Sequence, residues 1–391
     1  HMAFTWEAAF QPTQEQFNTD FVKRHPDIKI TDVYNTWGDH NKIVPTWAAA
    51  NTLPDVIYVH GAFIQPWARL GLFKPLDSYL NQDKGFNLDD FFNVALQLYI
   101  RDGKHYAIPY DHGPIILAYN SDLLDAAGVK PPDETTTMDQ LADMARKMNK
   151  PGQVWGISRL LSGANESFIA RIGPWGAQVM DDNESKTMMN TPQAATALDF
   201  WANLLLKDKA SPSPADDQAI QGGAWLAGKV ALYPSASWDT PTFAKFAKFK
   251  WDVAPWPKGP QGQKTGSFGS GFGITRDSKT PDPCWTYLSE YLSKDGEEFM
   301  WGKTGRGSPS RKSAYQSFLD SSVAPKHAKF FEDAESSYAE VGHPYKNANS
   351  SQVLDIFNRE LDLVVRGTKS SKDALQTMQQ EADPVLASGT G

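Results

Sequence analysis

The chain has 391 residues, which at roughly 150 residues per domain is enough for two domains or slightly more. Its 38 Lys and Arg against 46 Asp and Glu give a net charge of −8, and such a chain, without a long basic run, is a poor candidate for binding a nucleic-acid backbone. The single cysteine, Cys284, excludes an internal disulfide framework, a cysteine-based zinc site and a CxxC redox pair. No run approaches the ~18 consecutive apolar residues of a membrane span. The 13 Trp are a hint of binding to flat apolar ligand faces such as those of sugars, although core packing uses many indoles.

The first hundred residues alternate predicted strands with predicted helices. Strands are predicted at residues 4–7, 28–33 and 55–59, and helices at 14–24 and around 47–50. Strand–helix–strand units at this spacing predict a parallel sheet, and ligands of such sheets bind beyond the carboxyl ends of the strands. The segments that leave these strands are therefore expected to be loops near a ligand: residues 8–11, 35–40 and 60–63.

The middle and end of the chain are rich in predicted helices. Thr137 to Gln140 form a capping box, and Thr191-Pro192 opens another helix. An amphipathic helix over 353–364 is predicted to end at Gly367, and Ser370 caps a last helix that is predicted to run to Pro384. Residues 255–273, rich in Pro and Gly, have the composition of a linker or of an active-site loop.

Known catalytic motifs are missing, and the remaining chemistry stays open. There is no HExxH and no GxSxG, and the glycines of residues 266–273 are in the wrong register for a dinucleotide-binding turn. Cys284 is either a reactive thiol at a helix start or a buried packing residue. His40, His60 and His112 with Asp111 could in principle bind zinc, but they lack the short helical spacing that preforms such a site. A carboxylate pair for glycoside hydrolysis is not excluded by residue type.

The order of short segments along the chain carries a family resemblance. The segments concerned are Leu53–Tyr58, Leu70–Leu76, Gly103–Pro109, Ala118–Leu123, Ala127–Pro132, Ala227–Leu232 with Trp238, Pro255–Pro260, Gly305–Pro309 and the terminal helix from Ala374. In this order, they resemble the extracellular solute-binding proteins of carbohydrate ABC importers, of the maltose-binding-protein type (solute-binding family 1). They span nearly the whole chain.

The resemblance implies an α/β protein with the two-lobed periplasmic-binding-protein fold (type II). A mostly parallel sheet is expected in each lobe, with three hinge crossings. The N-terminal lobe is expected to comprise residues 1–110 plus 270–310, and the C-terminal lobe residues 111–269 plus 311–391. The ligand cleft is expected between them.

The same resemblance and the predicted strand ends give the candidate ligand-binding residues, and no catalytic residue is expected. Trp238 matches the position at which this family stacks an aromatic ring on a sugar, with core packing as the alternative. Trp175 is a ligand platform or a hydrophobic plug, and Trp37 has the same two interpretations. The remaining candidates are polar residues or glycines in expected cleft segments: Asp111, Arg306, Asp39, Gln11, His60, Asp239, Ser270 and Gly271.

The function implied is that of a receptor that captures a mono-, di- or short oligosaccharide by lobe closure and delivers it to the permease subunits of an ABC transporter. One alternative is an anionic sugar derivative or another polyol-like solute bound by Arg306, which could equally bind neutral hydroxyls or pair with an Asp. A more remote alternative is a glycoside-processing enzyme. No cofactor, metal or nucleic acid is expected, and we expect a monomer. The expected location is periplasmic, or extracellular with a lipid anchor, with a signal peptide that is not in this sequence.

Overall fold

The computed structural model describes residues 2–7, 10–161, 164–302, 304–341 and 347–389. The chain divides into two compact units, and neither is continuous in sequence. The first unit comprises His1–His112, Gly269–Thr304 and Ser308–Ser321, and the second comprises Gly113–Phe268, Gly305–Gly307 and Ser322–Gly391.

Both units combine strands with helices. The strands in the described residues are β1 (Met2–Glu7), β2 (Ile30–Asn35), β3 (Val56–His60), β4 (Ile100–Arg101), β5 (Lys104–His105), β6 (Ile108–Pro114), β7 (Ile116–Asn120), β8 (Trp155–Ile157), β9 (Val230–Ser235), β10 (Trp251–Ala254), β11 (Thr265–Ile274) and β12 (Ala339–Val341). The α-helices there are α1 (Gln11–Arg24), α2 (Trp37–Ala50), α3 (Gly61–Arg69), α4 (Asp77–Gln82), α5 (Asn93–Gln97), α6 (Ser121–Ala126), α7 (Met138–Met148), α8 (Ala164–Ile172), α9 (Pro192–Leu206), α10 (Pro214–Gln218), α11 (Gly223–Leu226), α12 (Thr240–Phe246), α13 (Pro281–Tyr291), α14 (Lys294–Glu297), α15 (Tyr315–Leu319), α16 (Lys329–Ser337), α17 (Ser350–Val365) and α18 (Ser371–Ser388). Short helical turns lie at Gly173–Trp175 and Ser237–Asp239.

The sheet of the first unit has the parallel core that the sequence predicts. β1 lies between β2 and β3 and is parallel to both. The C-terminal part of β11 is antiparallel to β3, with Ser270 opposite His60. Because β1, β2 and β3 run in one direction, their carboxyl ends meet at one edge of the sheet, and α1, α2 and α3 begin there.

Three alternate glycines in β11 allow close packing in the first unit. Gly269, Gly271 and Gly273 lie on the same face of the strand because side chains alternate along it. A Cβ at Gly271 would lie 2.6 Å from the Ile108 carbonyl oxygen and 2.9 Å from a ring carbon of Tyr99. The whole of β11 is buried. The expectation of a linker or loop over residues 255–273 is therefore wrong for the second half of that segment, which belongs to β11. The glycines there allow close packing of the strand.

The four-stranded sheet of the second unit corrects the expected strand directions. Its order is β10-β7-β9-β8; β8 and β9 are parallel, but β7 is antiparallel to both of its neighbours. The expectation of a mostly parallel sheet in each lobe is therefore wrong for this sheet. β7 is the first strand of this sheet along the chain and is joined to β6 of the other sheet by a single residue, so it lies outside the strand–helix–strand connection that makes β8 and β9 parallel.

Helix ends in the second unit follow their predicted caps, with one correction. The Thr137 capping box and the Thr191 and Ser370 caps all form. The last helix does not stop at Pro384 but continues to Ser388. Asn347 and Asn349 donate to the carbonyls of the final turn, at 2.8 Å and 2.9 Å, so side chains from outside the helix stabilise a turn that the proline alone would weaken.

Two further sequence questions are answered by burial and geometry. Cys284 is fully buried in α13, and burial raises the pKa of its thiol to about 12. Of its two interpretations, the structure therefore favours the buried packing residue over the reactive thiol.

None of the described helices has the length and apolar character needed to cross a membrane.

Candidate functional site

At the carboxyl edge of the first sheet the structure brings an exposed indole against a buried imidazole. Trp37 is the first residue of α2, directly after β2, and remains 42% exposed. Its ring meets the ring of His60, the last residue of β3, edge to face at 5.5 Å. The segments expected to be loops at 35–40 and 60–63 are instead the ends of strands followed at once by helix starts. Ala8 and Ala9, in the expected loop at residues 8–11, lie outside the described residues.

His60 is a neutral hydrogen-bond donor at neutral pH. Burial, and then the charge of His112, lower its pKa to about 4. Its Nδ1 accepts from the backbone N–H of Ala62 and so caps α3. Because one nitrogen of a neutral imidazole accepts and the other carries the proton, Nε2 is the donor.

Asp111 and Ser270 continue this edge. The backbone N–H of Ser270 donates to Asp111 Oδ1 at 2.8 Å, and both residues are buried. Ser270 is the cross-strand neighbour of His60, so their side chains lie on the same face of the sheet. We call Trp37, His60, Asp111 and Ser270 the Trp37 group.

Three other candidates of the first unit have local structural roles. The Asp39 carboxylate accepts from the Thr36 hydroxyl at the start of α2. Gln11 is exposed at the start of α1 and donates to Glu15. Gly271 faces the packed backbone described above, where only a glycine fits. The structure does not bring these three into the Trp37 group.

Trp238 occupies the corresponding position in the second unit. It lies in the turn that follows β9, is partly exposed, and meets Phe268 edge to face at 6.4 Å. Gly113 and Gly307 lie beside its turn, and a Cβ at Gly113 would stand 2.7 Å from the Ser237 hydroxyl. The absence of a side chain at Gly113 therefore lets the backbone pack closely against this turn and the Trp238 ring.

Asp239, which follows Trp238 in sequence, belongs to a polar cluster at the ends of β8 and β9. Asp239 accepts from the Ser235 hydroxyl at 3.0 Å and lies 3.6 Å from a guanidinium nitrogen of Arg159. Burial raises the pKa of the Asp239 carboxyl, and the charge of Arg159 opposes this. The Arg159 guanidinium also lies over the ring of Tyr233, 5.4 Å from its centre. We call Trp238, Asp239, Arg159 and Tyr233 the Trp238 group.

Arg306 and Trp175 differ in burial. Arg306 is partly buried, and the carbonyl of the preceding Gly305 accepts from Thr240, next to the turn that holds Trp238. Trp175 is buried against Phe200 and Trp201. Of its two predicted interpretations, the structure favours the hydrophobic plug.

Sequence reasoning missed Arg159 and Tyr233. Arg159 has a left-handed backbone, φ 53°, which a sequence pattern does not indicate for arginine. Its position follows from the pairing of β8 with β9, since both strands end at the same edge. The strand-end rule, if applied to β8 as it was to the first sheet, was the signal that could have found it.

Metal chemistry finds no support in the described part of the chain. No three His, Cys, Asp or Glu side chains there are grouped so as to hold a metal ion. His40 donates from Nε2 to the Tyr58 carbonyl at 2.7 Å and stacks on the Tyr58 ring, so its role is packing.

Comparison with known proteins identifies the family. The model for bacterial extracellular solute-binding proteins matches residues 5–298, most of the chain. The chain belongs to this family, and the resemblance to solute-binding proteins of carbohydrate importers is confirmed.

Among its relatives, the lactose-binding protein of Rhizobium radiobacter is 24% identical, over 78% of this chain and 75% of that protein. The arabinooligosaccharide-binding protein of Bacillus subtilis (strain 168) is 23% identical, over 94% of this chain and 88% of that protein. An ABC substrate-binding protein from Listeria monocytogenes, solved in complex with cycloalternan, has a TM-score of 0.89 at 23% identity and covers 98% of both chains. The predicted α/β fold of the periplasmic-binding-protein type is thereby confirmed.

Proposed function

We propose that this protein is a sugar receptor that binds a mono-, di- or short oligosaccharide and delivers it unchanged to an ABC transporter permease, and that the Trp37 group and the Trp238 group each contribute to sugar binding. The observation that carries the proposal is the same pairing in each unit: a partly exposed indole beside polar side chains at the carboxyl ends of strands. The names of the lactose- and arabinooligosaccharide-binding relatives support the ligand class.

The chemistry of each group suits a sugar ring. A pyranose has an apolar C–H face, which packs on an indole, and a rim of hydroxyls, which need donors and acceptors. The neutral His60 Nε2–H is a donor, and the carboxylates of Asp111 and Asp239 are acceptors. Such a set binds hydroxyls without requiring any reaction.

A thermal-shift screen tests the ligand class. The panel contains glucose, galactose, maltose, lactose, arabinose and arabinotriose, each against the wild-type chain. A ligand that binds only the folded state at 100 times its Kd stabilises it by about 2.7 kcal/mol, which raises the unfolding midpoint measurably. No shift with any member, together with no heat in calorimetry, would contradict the proposal.

Receptor and enzyme differ in what happens to the sugar. We expect every bound sugar to be recovered unchanged after prolonged incubation, and release of new reducing ends would instead support the glycoside-processing alternative. Delivery to a permease and a monomeric state belong to the same proposal. They are tested by copurification with the permease and by size in solution, with and without sugar.

A further inference from the structure

The first unit contains a fully buried carboxyl group that lies outside the Trp37 group. Glu297, the last residue of α14, has 0% of its surface exposed. Its Oε2 accepts from the backbone N–H of Arg311 at 2.8 Å, and its Oε1 lies 2.7 Å from the hydroxyl oxygen of Ser310. The same hydroxyl oxygen lies 2.8 Å from the carbonyl oxygen of Pro109. We call Glu297, Ser310 and Pro109 the Glu297 relay.

The count of hydrogen atoms in this relay favours a proton on Glu297. The Ser310 hydroxyl has one hydrogen, and a carbonyl oxygen only accepts, so an ionised Glu297 would compete with Pro109 for that hydrogen. If Oε1 is protonated, Glu297 donates to Ser310 and Ser310 donates to Pro109. Oε2 is then the carbonyl oxygen that accepts from Arg311. The neutral acid therefore makes every contact of the relay a hydrogen bond.

The charges around Glu297 act in the same direction. The Arg311 guanidinium donates to two backbone carbonyls and to the Asp90 carboxylate at 3.1 Å, so its charge is paired with Asp90. Burial, supported by the charge of Asp90, raises the pKa of Glu297 to about 8. The charge of Arg311 and the hydrogen bonds to Glu297 oppose this rise. Other charged groups on the adjoining elements contact different partners: Lys294 with Glu298, Glu290 with Arg24 and His25, and Lys312 with the Asp89 carbonyl.

The relay lies beside the part of β6 that carries Asp111. Pro309 is the antiparallel bridge partner of Asp111, and the backbone N–H of His112 donates to the Ser308 carbonyl at 3.3 Å. The relay adds a side-chain connection to β6 one residue further along, at Ser310. Because Asp111 belongs to the Trp37 group, the relay supports the backbone from which a member of that group extends.

We infer that Glu297 is a protonated, neutral acid at neutral pH, that it donates to Ser310, and that it is a positioning residue for Asp111 until it ionises at alkaline pH. The positioning role rests on the proposed function, and the protonation does not. The folded chain keeps a proton that the unfolded chain loses above the ordinary glutamate pKa of 4.5. The stability that this proton contributes is therefore fully present below pH 4.5 and is lost as the pH rises through about 8.

Urea unfolding of the wild type and of Glu297→Gln at pH 7 and pH 9 tests the protonation. Glutamine offers the same donor and acceptor as the neutral acid and does not ionise. Between these pH values we expect the folding equilibrium constant of the wild type to decrease by about tenfold more than that of Glu297→Gln. Glu298→Gln, whose native side chain lies 3.5 Å from Lys294, is the matched control and should keep the wild-type decrease. Equal decreases in the wild type and Glu297→Gln would overturn the inference.

Infrared difference spectroscopy of the wild type gives a measurement that does not depend on the folding of a variant. A protonated carboxyl group has a C=O stretching band distinct from the bands of a carboxylate. We expect this band at pH 7 in the wild type and in Glu298→Gln, and its loss by about pH 10 in both. A wild type without the band at pH 7 would overturn the protonation of Glu297.

The affinity for sugar tests the positioning role. For a sugar that the wild type binds, we expect the Kd to rise by at least about threefold from pH 7 to pH 9, and to rise less in Glu297→Gln. The same rise in both proteins would show that Glu297 does not act on the Trp37 group. If no sugar binds at either pH, the proposed function fails together with the positioning role, whereas the unfolding measurement decides the protonation of Glu297 by itself.

Discussion

Two tryptophans that share a glycine-rich or small-residue sequence context have opposite environments. Trp175 follows Gly173 and Pro174 and is buried against Phe200, whereas Trp238 keeps part of its surface exposed. Exposure, which depends on neighbours distant in sequence, decides which ring is available to a ligand. Local composition alone left Trp175 ambiguous for this reason.

The two side chains should therefore separate affinity from stability. Trp238→Ala is expected to weaken sugar binding about 30-fold, as the loss of a central aromatic contact of about 2 kcal/mol implies, with little loss of stability. Trp175→Leu is expected to lower the free energy of unfolding by about 2–4 kcal/mol and to leave the Kd of the folded protein nearly unchanged. Calorimetry measures the affinity and urea unfolding measures the stability. The reverse pattern would show that Trp175 contacts the sugar and that Trp238 stabilises the fold.

His40 predicts a pH dependence of stability. It is fully buried, its Nδ1 has no hydrogen-bond partner among the described residues, and burial lowers its pKa from 6.5 to about 4. Between pH 6.5 and about 4 the unfolded chain binds a proton at this position and the folded chain does not, so stability falls as the pH falls.

The magnitude follows from the pKa difference. From pH 7 to pH 5 this residue alone should lower the free energy of unfolding by about 2 kcal/mol, and His60 acts in the same direction. Urea unfolding at both pH values should show that the free energy of unfolding of His40→Phe decreases by about 2 kcal/mol less than that of the wild type. An unchanged decrease would mean that His40 is protonated in the folded protein.

At the scale of elements, β11 is the strand whose sequence misled prediction most. Its alternate glycines resemble a flexible segment, but in the structure they are buried and allow the close approach of Ile108 and Tyr99. The role of Gly271 is therefore packing within the first unit.

Gly271→Ala tests that role. The added Cβ has no room, so we expect a loss of about 1–3 kcal/mol in the free energy of unfolding. Gly38→Ala is the matched control, because nothing lies within 4 Å of its Cβ position in α2 and alanine favours a helix by about 1 kcal/mol. Equal effects of the two substitutions would show that β11 can move to accommodate a side chain.

The elements that local chemistry specifies were predicted well. Strands β1 to β3 and the capped starts of α7, α9 and α18 follow from residue patterns within a few positions. The reversed direction of β7 and the continuation of α18 past Pro384 depend on connectivity and on Asn347, and neither is visible in a local pattern.

At the scale of the whole molecule, the Trp37 group and the Trp238 group both lie at the carboxyl ends of strands. His60 is the last residue of β3 and Trp37 follows β2, whereas Trp238 and Arg159 follow β9 and β8. From sequence, the family resemblance gave Trp238, and the rule that ligands bind beyond the carboxyl ends of strands gave Trp37 and His60. It did not give Arg159, whose contacts with Tyr233 and Asp239 arise only when β8 and β9 pair.

The central claim is that this protein binds a sugar with the exposed indoles at its strand ends, and calorimetry with three single substitutions tests it most directly. Trp37→Ala and Trp238→Ala remove one indole from each group, and Phe246→Ala, an exposed aromatic residue outside both groups, is the control. We predict saturable sugar binding to the wild type, a loss of affinity of at least about tenfold in each tryptophan variant, and no change in the control. A sugar that binds with unchanged affinity to either tryptophan variant would contradict the claim.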